Sequence, residues 1–171
     1  MTSEEKQAYL QHALKWGAMA GGILLMIMAL GTMTGADGQK LATAGLGHYI
    51  VLSSCIYLCQ RSMYRKDQSF TFAGLLALGV VCGVGASLFV DLYCAVYIKI
   101  IDPSFVDNAL GDAQTILEQM DIYSHNQLEE SVAIAKKSFL TMFMIANTMI
   151  YSFVSLLFAL LGAFLSRKKT V

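Results

Sequence analysis

The fold is decided by one long apolar stretch, FTFAGLLALGVVCGVGASLFVDLYCAVYIKIIDP, which occupies residues 70–103. No helix breaker interrupts it before Asp102 and Pro103, so it predicts one helix of about 32 residues. At about 1.5 Å per residue such a helix is roughly 48 Å long, whereas the hydrocarbon core of a bilayer is about 30 Å thick. We therefore expect a transmembrane helix over residues 70–101 whose last turns extend past the membrane.

Three further apolar blocks have the same character. They occupy residues 14–33, 41–59 and 139–165, and each is long enough to cross a bilayer as a helix. Of the 171 residues, 56% are hydrophobic and only 14% are charged, whereas a soluble domain carries about 25% charged residues. The sequence therefore predicts an all-α integral membrane protein, a bundle of four transmembrane helices in a lipid bilayer. No basic stretch is long enough for binding to nucleic acid.

The segment between the third and fourth spans, residues 102–138, predicts an acidic extramembrane helical hairpin. Asp102 followed by Pro103 is typical of a helix N-cap and the first helical position. The residues that follow combine apolar and acidic positions at helical spacing. A turn at residues 121–126 then separates this helix from the last one.

Basic residues predict the orientation of the spans, because cytoplasmic loops carry an excess of lysine and arginine. The side that holds the N-terminal segment (residues 1–13) and the tail (residues 166–171) has eight of them: Lys6, Lys15, Arg61, Arg65, Lys66, Arg167, Lys168 and Lys169. The opposite side has four: Lys40, Lys99, Lys136 and Lys137. Both ends are therefore expected in the cytoplasm. The residues expected to anchor the spans to lipid headgroups are Lys15, Trp16, Arg167, Lys168 and Lys169.

Small residues recur at every fourth position on the third span, and a similar pair occurs on the first. This spacing lets another helix backbone approach closely. We expect these positions to pack against other helices of the bundle, with a homodimer seam or a groove for a lipid tail as the alternatives. The helix-packing set is Gly17, Gly21, Gly79, Gly83 and Ser87.

Asp91 is the one acidic residue within a predicted span. Counting along the helices places it near the outer boundary of the bilayer, at a level similar to those of Lys40 and Lys137. A charge at this depth is costly unless it is paired or hydrated. We expect an ion pair of Asp91 with Lys40 or Lys137, and a hydrated carboxylate is the alternative. A proton relay is disfavoured because no other acidic residue lies deeper in the core.

Four deeper polar residues lie at similar estimated depths on three spans. They predict an interhelical hydrogen-bond cluster in which each bond contributes on the order of 0.6 kcal/mol. A small site for a polar ligand is the alternative. The members of this intramembrane polar cluster are His48, Ser87, Asn147 and Thr148.

No set of residues predicts catalysis or metal binding. The three histidines, His12, His48 and His125, fall on the cytoplasmic side, in mid-membrane and in the hairpin, so they are too far apart to share a zinc ion. The four cysteines lie in apolar stretches without CxxC spacing and are interpreted as small buried hydrophobic residues. Asp102 and Asp107 are interpreted as a helix cap and a solvated residue rather than an acid–base pair. We therefore expect no enzyme activity, no cofactor and no metal.

Several of these features occur together in one known family. The motif SFTF at residues 69–72, the aromatic residues Tyr93 and Tyr97, and the run IDPSFVD at residues 101–107 resemble the bacterial membrane family catalogued as domain of unknown function 4199. The Lys-Trp-Gly sequence at residues 15–17 and the basic tail also fit. The resemblance covers nearly the whole chain. It implies four spans in a bacterial inner membrane, a periplasmic hairpin and a link to polyprenyl-phosphate glycan metabolism, and it carries over no catalytic residue.

The sequence favours a non-enzymatic accessory or scaffold subunit. Such a protein would pack through its small-residue helix faces against itself or a larger membrane protein, and it would present the acidic hairpin. A small lipid-handling or transport protein is the alternative, although no discontinuous span is visible and the two halves of the chain differ. A membrane-embedded enzyme is least favoured, because titratable groups do not converge at one depth.

Overall fold

The computed structural model describes residues 3–34, 38–119 and 125–167, with side chains described for residues 7–34, 47–118 and 127–167. These residues form five α-helices and one π-helical turn, and no strand occurs among them. The predicted all-α class is therefore confirmed. The elements are α1 (Ser3–Met33), α2 (Gly38–Lys66), α3 (Phe72–Val96), the π-helical turn (Tyr97–Ile101), α4 (Phe105–Gln119) and α5 (His125–Arg167).

Three segments within the described residues have the length and apolar composition of a transmembrane helix, which indicates a multi-pass membrane protein. They are Gln7–Met33, Phe72–Ile101 and Gln127–Arg167. The predicted second span falls in α2, which is not among these three segments. The side chains at positions 41–46 of that span lie outside the described residues. A fourth span therefore stays a prediction.

The chain forms two compact units. The first consists of Met1–Val90 with Thr148–Val171, and the second consists of Asp91–Asn147. The first unit contains α1, α2 and parts of α3 and α5. Its core is built from aliphatic side chains of several helices, with almost no exposed surface on Leu24, Leu52, Ile56 and Leu75.

Helices α1 and α3 approach each other at glycine residues. A methyl group placed on Gly17 would lie 2.6 Å from the carbonyl oxygen of Cys82 and 3.2 Å from the Cα atom of Gly85, so the two backbones are in direct contact. One turn later, a methyl group on Gly21 would lie 2.7 Å from the ring of Phe89. Both small residues of α1 therefore face α3 of the same unit.

A different face of α3 contacts α5. A methyl group on Gly79 would lie 2.5 Å from the Cβ atom of Ala159, and one on Gly83 would collide with the side chain of Ser155. Ser87 is buried, and its hydroxyl donates to the carbonyl of Val84 in its own helix at 2.9 Å. The space beside Gly79 and Gly83 is thus filled by side chains of this chain, which leaves no room there for a lipid tail.

Thr71 sets the start of α3. Its hydroxyl oxygen accepts a hydrogen bond from the backbone N–H of Gly74, and its carbonyl accepts one from Leu75, both at 3.1 Å. This is the geometry of a helix N-cap. The turn before it is fixed by Asp67, whose carboxylate accepts a hydrogen bond from the backbone N–H of Ser69 at 2.9 Å. Together these bonds fix the direction in which α3 leaves the loop.

The helix after the third span begins two residues later than predicted, at Phe105 instead of Pro103. The backbone N–H of Asp102 donates to the carbonyl of Tyr97 at 2.8 Å, so Asp102 terminates the π-helical turn rather than capping the next helix. Its carboxylate accepts a hydrogen bond from the hydroxyl of Ser104 at 2.6 Å. Helix α4 begins at Phe105, because a turn at Pro103 and Ser104 intervenes.

In the second unit, α4 lies against the first part of α5. An ion pair joins Asp107 to Lys136 at 2.6 Å, and the rings of Phe105 and Phe139 meet edge to face with centroids 6.4 Å apart. Val106 and Leu128 are buried. The two helices therefore contact each other as a hairpin would require, while its position outside the membrane stays a prediction.

The glycine contact between α1 and α3 can be tested with two substitutions in α1. We expect Gly17→Ala to lower the stability of the protein by about 1–3 kcal/mol, because the added methyl group forces two backbones apart. Gly22→Ala is the matched control, since a methyl group there has no neighbour within 4 Å. The measurement is the midpoint of thermal unfolding in detergent. Equal midpoints for the two variants would contradict the contact.

Candidate functional site

Gln60 joins three helices. Its side chain is fully buried, and its Nε2 group donates to the carbonyl of Leu75 on α3 and to the carbonyl of Ala159 on α5, each at 2.9 Å. Because Gln60 belongs to α2, one amide group links all three helices. Interhelical hydrogen bonds of this kind hold transmembrane bundles together.

Two glycines make the space that the Gln60 amide occupies. A methyl group on Gly79 would lie 2.8 Å from Nε2, and one on Gly162 would collide with Oε1. The helical carbonyls of Leu75 and Ala159 are normally covered by side chains one turn further along. Here that turn carries the small residues Gly79 and Gly162, so the amide reaches both carbonyls.

Two buried acceptors in this region lack a hydrogen-bond partner among the described residues. They are Gln60 Oε1 and Ser155 Oγ, and both residues are fully buried. The amide is therefore positioned through its donors, and its oxygen only packs against Gly162. With no titratable side chain among these contacts, the arrangement is suited to holding helices together rather than to proton transfer.

Sequence reasoning missed Gln60, which directly follows the predicted second span at residues 41–59. A signal was present. Leu52 and Ile56 precede Gln60 at steps of four residues and are buried, so position 60 continues the buried face of α2. A glutamine on the apolar face of a helix predicts a partner in the interior.

Asp91 is buried within the second unit, with 2% of its surface exposed. Its Oδ1 atom accepts a hydrogen bond from the Nδ2 group of Asn147 at 2.6 Å. This hydrogen-bond partner was not predicted. The side chain of Lys40 lies outside the described residues and Lys137 is exposed, so an ion pair of Asp91 with either lysine stays a prediction.

The structure describes hydrogen bonds for two members of the predicted intramembrane polar cluster. Ser87 donates within its own helix, and Asn147 donates to Asp91. His48 and Thr148 also take part in interactions. A four-membered cluster therefore stays a prediction, and the bond of Asn147 to Asp91 is the part of this region that the structure describes.

Five aromatic rings form a continuous series in the second unit. Neighbouring centroids are 6.2, 5.8, 6.4 and 6.2 Å apart, with two stacked and two edge-to-face contacts. Such pairs each contribute about 0.5–1.5 kcal/mol beyond burial. The series connects the last turns of the third helix to α4 and α5. Its members are Tyr93, Tyr97, Phe105, Phe139 and Phe143.

The basic ends of the spans are partly described. Lys15 and Arg167 are exposed and Trp16 is half-buried, while Lys168 and Lys169 lie outside the described residues. The guanidinium of Arg61 lies over the ring of Tyr57, 5.6 Å from its centroid. Headgroup anchoring by the predicted residues stays a prediction.

Polar contacts also join α1 to α2. Nε2 of His12 lies 2.9 Å from the hydroxyl of Ser62, which donates to the carbonyl of Cys59. Cys55, Cys59 and Cys82 are buried free thiols. Within residues 7–34, 47–118 and 127–167, no group of histidine, cysteine or acidic side chains has an arrangement that could hold a metal ion.

Comparison with known proteins identifies one family. A family described as protein of unknown function (DUF4199) matches residues 15–168. The chain belongs to this family. No curated protein and no solved structure matches the chain. The family supplies no activity, so any function has to be argued from the residues themselves.

The hydrogen bond of Asn147 to Asp91 is tested by a double-mutant cycle with Asp91→Ala and Asn147→Ala. We expect a coupling of about 1 kcal/mol, because the bond lies in a buried helix contact. The measurement is the thermal stability of the single and double variants in detergent.

The control is a second cycle on Asp107 and Lys136, whose side chains are 55% and 57% exposed. That pair is expected to couple by roughly 0.5 kcal/mol or less, because water screens it. A coupling near zero between Asp91 and Asn147, with the control unchanged, would show that their hydrogen bond adds no stability.

Proposed function

We propose that this protein is a non-enzymatic accessory or scaffold subunit of a bacterial inner membrane. It has four spans, both ends in the cytoplasm and a periplasmic hairpin formed by α4 and the first turns of α5. The observation that carries the proposal is a difference between two surfaces of the protein. Small residues of the spans contact helices of the same unit, whereas the hairpin keeps charged and apolar side chains exposed.

The hairpin offers a surface that suits a protein partner. Ile116 and Ile134 are 55% and 61% exposed, although both are large and apolar. Acidic side chains are exposed on the same helices, namely Asp112, Glu118, Glu129 and Glu130. A mixture of apolar and like-charged groups favours a partner with apolar and basic residues.

The contact between subunits is assigned to the hairpin rather than to a glycine seam. Gly79 and Gly83 were candidates for a homodimer contact, but they face Ala159 and Ser155 of this chain. Gly17 likewise faces the backbone of α3. A second chain at these faces would have to displace contacts that the protein already makes.

A lipid-handling role is the second proposal. It was expected along Gly79 and Gly83, where side chains now fill the space. An open groove lined by residues of α1 and α3 supports lipid binding at a different place.

The accessory role is tested by purifying the tagged protein from native membranes with a mild detergent. We expect a membrane partner to co-purify with the natural chain and to be lost from the double variant Asp112→Lys, Glu118→Lys, because the reversed charges repel a basic surface. Thermal midpoints should be equal, since both side chains are exposed.

The matched control is the double variant Asp112→Glu, Glu118→Asp, which keeps both charges and should keep the partner. Recovery of monomers alone from the natural chain would overturn the accessory role. Equal recovery of the partner with the charge-reversed variant would overturn the assignment of the contact to the hairpin.

A further inference from the structure

An open groove of about 380 Å³ lies between α1 and the beginning of α3. This volume is within the range of small-molecule sites, about 300–1,000 Å³. Its walls are apolar and include Leu10 and Ala13 from α1 with Ala77 and Val81 from α3. Since both helices have the composition of membrane spans, the walls suit a hydrocarbon chain.

The groove is preformed by aromatic and glycine contacts. The rings of Tyr9 and Phe70 meet edge to face with centroids 4.7 Å apart. A methyl group on Gly74 would lie 2.7 Å from the ring of Phe70, so only glycine lets this ring lie against α3. The ring is thereby held at the wall instead of filling the groove.

Polar side chains also line the groove. The hydroxyl of Tyr9 donates to the Asp67 carboxylate at 3.5 Å, and the hydroxyl of Ser69 donates to it at 2.6 Å. The hydroxyl and the backbone N–H of Ser69 lower the pKa of Asp67, so its carboxylate is ionised at neutral pH. Asp67 is the one charged residue that lines the groove among those that the structure describes.

A positive charge lies next to this carboxylate in the chain. Lys66 is exposed in the last turn of α2, directly before Asp67. Lys66 does not line the groove, so the charge that the groove itself presents is the Asp67 carboxylate, which matches a headgroup that carries an ammonium group. An anionic headgroup without an amine would place a second negative charge beside Asp67.

We propose that the groove binds a membrane phospholipid whose headgroup carries a primary ammonium group, with one acyl chain against Leu10, Ala13 and Ala77 and the ammonium on Asp67. The apolar walls require a lipid rather than a soluble amine. This site rests on the lipid-handling proposal and is independent of the accessory function and of the hairpin.

The test uses the full chain, stripped of lipid in detergent, and native mass spectrometry. Phosphatidylethanolamine and phosphatidylglycerol with identical acyl chains are added in equal amounts. We expect retention of phosphatidylethanolamine to exceed that of phosphatidylglycerol by about threefold, as for a partly exposed ion pair. Asp67→Asn should bring the ratio close to one.

A second pair of variants tests the groove itself. Ala77→Phe should reduce retention of both lipids several-fold, because the ring fills the groove. Ala73→Phe is the control, since Ala73 is exposed one turn earlier on α3 and does not line the groove.

Equal retention of the two lipids by the natural chain would overturn the headgroup assignment. Equal lipid retention by the two phenylalanine variants would overturn the groove assignment. Displacement of the bound lipid by an equal concentration of soluble phosphoethanolamine would show that a free headgroup is enough, which the proposal excludes.

Discussion

The bundle depends on one amide group that is buried among three helices. Gln60 donates to Leu75 and Ala159, and the second of these bonds joins positions 99 residues apart in the chain. In a membrane the lipid around a helix is as apolar as its side chains, so burial of leucine contributes little to helix association. Close packing and interhelical hydrogen bonds then decide how the helices are arranged. The Gln60 amide contributes close packing and interhelical hydrogen bonds, because it bonds to two carbonyl oxygens that are accessible only where small residues lie beside them.

The same constraint explains where the glycines lie. Gly17 brings α1 onto the backbone of α3, and Gly83 admits Ser155 of α5. Each removes a side chain at the point where another helix approaches most closely. The small residues are therefore used for contacts within the protein. The hairpin and the groove near Asp67 are surfaces whose polar side chains can contact other molecules. The two proposals rest on those surfaces.

Local features of the fold could be predicted from the sequence, because they depend on neighbouring residues. The apolar stretch with no breaker before Asp102 gave a helix over residues 70–101, and the structure has helical residues from Phe72 to Ile101. The glycine positions were also recognised by their spacing. The residues that these glycines contact were not predicted, since a pattern on one helix does not specify which helix faces it.

Partner choice is the part that the sequence did not reveal. Asp91 was recognised as a charge within a span that needs a partner or water, but its hydrogen bond to Asn147 depends on the rotation of α5, and Asn147 lies 56 positions further along the chain. The central claim is that the Gln60 amide clamps α2 to α3 and α5, and the most direct test compares Gln60→Glu with Gln68→Glu by thermal unfolding in detergent at neutral pH. A carboxylate facing two buried carbonyls is expected to cost about 3 kcal/mol or more, while the exposed Gln68 should tolerate the change. Equal stability of the two variants would contradict the clamp.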